Sequence, residues 1–93
     1  MLEDKKIIMI AAANSAISYK RQNPNAGIEE VIKYVMREVK SERELKVFGI
    51  AAASFVLNYL EKNPKASERE VMQSFSNESN NIIISIENQE EII

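Results

Sequence analysis

The side chains able to do chemistry in this chain are few, and their types exclude most reactions. There is no cysteine and no histidine among the 93 residues. A thiolate nucleophile, the usual neutral-pH base and the commonest transition-metal ligand are therefore all missing. The serines have no histidine to form a triad with. Glu29-Glu30 and Glu68/Glu70 are the paired carboxylates that a divalent cation would need. Both pairs fall in expected first helical turns, where negative charge complements the helix dipole. No metal and no cofactor is expected, and the chain reads as non-enzymatic.

Two groups remain as candidate binding residues. Lys33, Arg37 and Lys40, followed by Arg43 and Lys46, make a basic set. Glu38, Glu42 and Glu44 interleave with it, which is the pattern of a solvated helix face more than of a concentrated phosphate-binding footprint. Phe48, Phe55 and Tyr59, with Leu60, form an aromatic-rich face. Ile82, Ile83, Ile84 and Ile86 add a dense apolar cluster near the C-terminus. Either the interior takes all of these large side chains, or some of them meet a partner.

The elements that position these residues come from an internal repeat. Residues 10–38 read IAAANSAISYKRQNPNAGIEEVIKYVMRE, and residues 50–78 read IAAASFVLNYLEKNPKASEREVMQSFSNE. The offset is forty, without a gap, and eleven of the twenty-nine paired positions are identical. A fixed period of this size marks one supersecondary unit used twice. Each unit is expected to be helix, tight turn, helix. The first helix runs from about Glu3 to Arg21 and stops at Asn23-Pro24, because proline disfavours helical geometry at the residue before it. The second runs from about Gly27 to Lys40, with Ile28, Val31, Ile32, Val35, Met36 and Val39 on one stripe.

Ser41-Glu42-Arg43-Glu44 reads as a capping box that starts a third helix, from about Glu42 to Lys62. That helix is apolar nearly all round. Asn63-Pro64-Lys65-Ala66 repeats the turn, and Ser67-Glu68-Arg69-Glu70 repeats the capping box before a short fourth helix ending near Ser76. The Ala11–Ala13 and Ala51–Ala53 triplets predict that helices one and three cross near Ala12/Ala13 and Ala52/Ala53, with the two hairpins related by a pseudo-two-fold axis.

The stretch 63–75, with its proline turn, capping serine and Glu70-Val71 pair, resembles the join between the first two helices of helix-turn-helix domains. The resemblance covers about thirteen residues. It implies a recognition helix over residues 80–92, yet that segment carries Glu87, Glu90 and Glu91 and no base, the wrong sign for phosphates. The forty-residue period also resembles armadillo and HEAT units, of which two are too few for a solenoid.

Charge divides the chain unevenly. All twelve Lys and Arg lie at or before Arg69, while residues 70–93 carry five carboxylates and no base; the net charge is −2. Lys5-Lys6 before Ile7–Ala13 looks like a small leader, but Ile-Ala-Ala-Ala recurs at 50–53 and so belongs to the repeat. No run approaches the ~18 apolar residues of a membrane span.

The expectation is thus an all-α chain. Residues 1–79 form one four-helix domain of two repeats, 3–40 and 42–79. Ser76–Asn81 forms a polar loop, and residues 80–93 an acidic, isoleucine-rich tail whose run is too short for periodicity to choose between helix, strand and loose end. Functionally it reads as a small cytoplasmic protein-interaction or regulatory module. It is expected to be a homodimer, or to bind another protein, through Phe48, Phe55, Tyr59, Leu60, Ile82, Ile84 and Ile86, without a membrane. The alternative is a helix-turn-helix-like DNA-binding regulator using Lys33, Arg37, Lys40 and Arg43.

Overall fold

A computed structural model of the chain describes residues 2–92, with side chains described for residues 4–89. Four α-helices follow one another: α1 (Leu2–Gln22), α2 (Ile28–Glu38), α3 (Lys46–Lys62) and α4 (Glu68–Ile92). A short 3-10 turn, Arg43–Leu45, precedes α3. The fold is all-α, with no strand among the described residues.

The helix joints follow from local chemistry, and they recur forty residues apart. Asn23 and Asn63 each send a side-chain amide bond to the carbonyl of the tyrosine four residues back, Tyr19 and Tyr59, at 3.1 Å. The same carbonyls accept the Asn23 and Asn63 backbone N–H at 2.9 and 2.8 Å. Ala26 and Ala66 then close the turns onto Asn23 and Asn63. At the first turn alone, the Lys20 ammonium donates to the Pro24 and Ala26 carbonyls. Leu60, in the corresponding place, cannot.

α1 and α3 are the central pair, and each of them packs on both α2 and α4. The alanines expected at their crossing are there: Ala12, Ala13, Ala52 and Ala53 are all fully buried. Gly49 tightens the approach further; a Cβ built on it would stand 3.6 Å from the Ala12 Cβ and 3.4 Å from Met36 Cε. Val31 and Val35 from α2 and Val71, Phe75 and Ile83 from α4 complete the core. The two flanking seams are built in reverse. Between α2 and α3 a large Met36 faces a small Gly49. Between α4 and α1 the corresponding residues are a small Ser76 and a large Met9, which border one groove.

Three boundaries differ from the sequence expectation. α2 ends at Glu38, two residues early, because Val39 has left helical geometry (φ −97°, ψ 96°). The chain is still out of helix at Glu42 (φ −66°, ψ 155°), and after the 3-10 turn α3 begins at Lys46 rather than Glu42. Ser41 therefore has no helix to cap: its Oγ is buried and, among the described residues, without a partner. The second box does form. Ser67 Oγ accepts the Glu70 N–H at 3.1 Å, and Glu70 accepts the Ser67 N–H at 3.0 Å.

The largest difference is α4. Ser76–Asn81 is not a loop; α4 passes through it and continues to Ile92. Serine and asparagine favour helix weakly in isolation, but the isoleucines beyond them have somewhere to go. Ile83 is buried, and Ile82 and Ile86 pack half-buried against the core. Packing of this kind, more than propensity, holds most helices in proteins. At ~1.5 Å per residue the 25 residues of α4 span roughly the 37 Å long axis of the molecule. Ile93, expected to align with Ile82 and Ile86, and the side chains of Glu90 and Glu91 lie outside the described residues.

Candidate functional site

The aromatic face expected on α3 is mostly spent inside the chain. Phe48 is 2% exposed, so it presents no surface to a partner. The Lys5 ammonium lies 5.1 Å from its ring centroid and also pairs with Glu87 of α4, which ties the two chain ends together. Phe55 is half-buried and meets Phe75 with ring centroids 6.1 Å apart. Tyr59, Leu60, Ile82 and Ile86 are half-buried against the core. Of the seven residues named for a partner face, Ile84 alone is well exposed, at 54%.

The surface offers other apolar residues that the expected partner face did not include. Ile7 (64% exposed) and Ile10 (47%) stand on the outer side of α1, and Val47 (42%) and Ile50 (38%) on the outer side of α3. On α1 the sequence Ile7, Ile10, Ala11, Asn14, Ser18 makes one exposed helical stripe. On α3 the stripe is Val47, Ile50, Ala51, Ser54, Asn58, each forty residues on and half-buried or exposed. No charge falls between Lys6 and Lys20, or between Lys46 and Glu61. The signal was in the repeat itself: the chain keeps an uncharged outer stripe twice. It was obscured because α3 looks apolar on every side.

The basic set is dispersed. Lys33, Arg37, Lys40 and Arg43 are all exposed, and none forms an ion pair among the described residues. Lys33 and Arg37 share a face of α2, but Lys40 lies in the extended connection and Arg43 in the 3-10 turn. The Arg37 guanidinium is engaged, 5.9 Å from the Tyr34 ring centroid. The recognition helix implied by the helix-turn-helix resemblance is not a separate element, since residues 80–92 continue α4 without a turn.

Next to Arg37 lies a polar–aromatic cluster. Tyr19 and Tyr34 stack with centroids 4.3 Å apart and planes at 28°. The Tyr19 hydroxyl donates to Glu30 Oε2 at 2.7 Å. That bond, with some desolvation and the Glu30 charge, holds the Tyr19 phenol above its ordinary value of 10.0. At the corresponding place in α4, the Ser67 amide and hydroxyl hold the Glu70 carboxyl below its ordinary value of 4.5. Sequence reasoning gave Glu70 its place in the capping box but treated Glu30 only as a dipole partner and missed the tyrosine bond, which depends on how α1 and α2 pack.

Among the described residues no three acidic side chains converge as metal ligands, and no helix is long and apolar enough to cross a membrane. No family model, curated protein or solved structure matches the chain.

Proposed function

We propose that the chain is a non-catalytic protein-interaction module that associates with a second copy of itself. The observation that carries this is the duplicated outer stripe. Two central helices each spend their inner face on the core and still present isoleucine, valine and alanine outward, with no charge for more than three turns. A soluble monomer has no need of such a surface twice. Alanine at the middle of each stripe allows close helix approach, and the flanking aliphatic side chains supply area to bury. An uncharged stripe is also complementary to itself, which suits a two-fold contact. With a net charge of −2, little repulsion keeps copies apart. The docked α4 end contributes through exposed Ile84 rather than by the aromatic face of α3.

Sedimentation velocity tests the proposal. The expected outcome is a concentration-dependent dimer at micromolar protein, little affected by salt. Ile7→Glu with Ile10→Glu, or Val47→Glu with Ile50→Glu, should yield a folded monomer and so identify the stripe in contact. A full-length monomer at high micromolar concentration would sink self-association.

The nucleic-acid reading retains one favourable observation, the exposure of Lys33, Arg37, Lys40 and Arg43 without ion pairs among the described residues. Tight, strongly salt-dependent duplex binding that is lost on Lys33→Glu with Arg37→Glu would replace the proposal.

A further inference from the structure

The two tyrosine corners of the molecule differ in a way that opens a site. In the first corner Tyr19 is satisfied on two sides: Tyr34 covers its ring, and Glu30 accepts its hydroxyl hydrogen bond. Tyr59 ends α3 as Tyr19 ends α1, with the same two bonds from the following asparagine onto its carbonyl. Two substitutions strip its surroundings. Ser74 stands where the first unit has Tyr34, and a shallow pocket of about 490 Å³ lies there, lined by Tyr59, Arg69, Glu70, Gln73, Ser74 and Asn77. Each lining residue is the forty-residue counterpart of one in the first corner: Tyr19, Glu29, Glu30, Lys33, Tyr34 and Arg37. Ser67 stands where the first unit has Gly27, and it draws Glu70 into the capping box. Among the described residues, the Tyr59 hydroxyl then has no hydrogen-bond partner and its ring no aromatic neighbour.

We propose that this pocket binds an aromatic side chain of a partner polypeptide, a phenol or phenyl ring laid on Tyr59 as Tyr34 is laid on Tyr19. The first corner supplies the template for the occupant: a planar ring at stacking distance. The lining charges decide between sources of such a ring. Arg69 and Glu70 offset one another, Gln73 and Asn77 bond to each other at 3.2 Å, and α4 beyond Arg69 has no base. A nucleotide would bring phosphate to a helix whose one base, Arg69, is offset by Glu70 and which otherwise carries only acids, whereas a protein side chain brings no charge. The site lies at the C-terminal end of α3 and the start of α4, and it does not depend on the outer stripes being occupied.

NMR titration with p-cresol tests this directly. The expected result is saturable shifts, in the millimolar range for a lone ring, at the Tyr59 ring and the Gln73, Ser74 and Asn77 amides. The Tyr19 ring should stay still, because its face is taken. Ser74→Tyr should fill the slot from within and remove the shifts. Tyr34→Ser should create a second responsive ring at Tyr19. Should Ser74→Tyr fail to fold, Tyr59→Leu must abolish the response instead. No saturable shift at Tyr59, or a response unchanged in these variants, would overturn the site. Adenosine monophosphate saturating at lower concentration than p-cresol would overturn the choice of a protein side chain.

Discussion

Glu30 and Glu70 hold corresponding places in the first turns of α2 and α4 and are put to different uses. Glu30 reaches across to Tyr19, and Glu70 folds back onto Ser67. The two caps differ at one residue: the Ser67 hydroxyl accepts the Glu70 N–H and closes the box, a bond that Gly27, with no side chain, cannot offer Glu30. The Glu70 carboxyl is held down mainly by the Ser67 amide, then by its hydroxyl. Its contribution to stability is thus complete above its ordinary value of 4.5 and is lost as pH falls through the lower folded value. In a carboxyl NMR titration Glu70 should have a midpoint below 4.5, and Ser67→Ala should raise it only part of the way, since the amide remains. A midpoint at or above 4.5 in the unsubstituted chain would refute the assignment. The Ser67 box was legible because Ser-x-x-Glu follows a turn that leaves helix at once. The identical spacing at Ser41–Glu44 misled, because nothing local reveals that the chain is out of helix from Val39 to Glu42 and leaves the serine hydroxyl buried before α3 begins.

At the scale of elements, α2 was the most legible. Its apolar stripe has the 3.6-residue period of a one-sided helix, and Val31 and Val35 are indeed fully buried. Either Val→Ala change should cost about 1–3 kcal/mol in chemical denaturation, because truncation leaves a cavity in a tightly packed site. A loss of a few tenths would place the stripe outside the core. The C-terminal half of α4 was the least legible. Ser76–Asn81 carries turn-favouring residues, and the isoleucines after it fit strand as readily as helix. Their helical state depends on a surface made by distant residues, with Ile83 sunk into the core and Lys5 of α1 meeting Glu87. The tail is therefore expected to act as structural material. A chain ending at Asn80 should lose at least about 2 kcal/mol, the worth of burying one large aliphatic side chain. Equal urea midpoints for the two chains would make the tail dispensable.

For the whole molecule, the alanine triplets were enough to place α1 against α3, but not to say which outer surfaces the pair leaves open. That depends on where α2 and α4 settle, and they cover the sides of the central pair rather than its backs. The reversed seams were equally hidden. Met36 with Gly49, and Ser76 with Met9, look in the alignment of the two units like unrelated substitutions. In three dimensions each unit supplies one large and one small residue to the two seams, Met36 against Gly49 in one and Met9 across a groove from Ser76 in the other. The expected consequence is that the halves are not interchangeable, like a left and a right glove. A synthetic chain that duplicated residues 3–40 would set a methionine where Gly49 meets Met36, with a strain of about 1–3 kcal/mol at that seam, while a methionine in place of Ser76 would have the groove beside Met9 to enter. One that duplicated residues 42–79 would set serine against glycine and leave both seams hollow. Only the mixed order should melt cooperatively at the natural temperature; equal melting temperatures in thermal scans of the three arrangements would show that the two seams do not depend on each other's order.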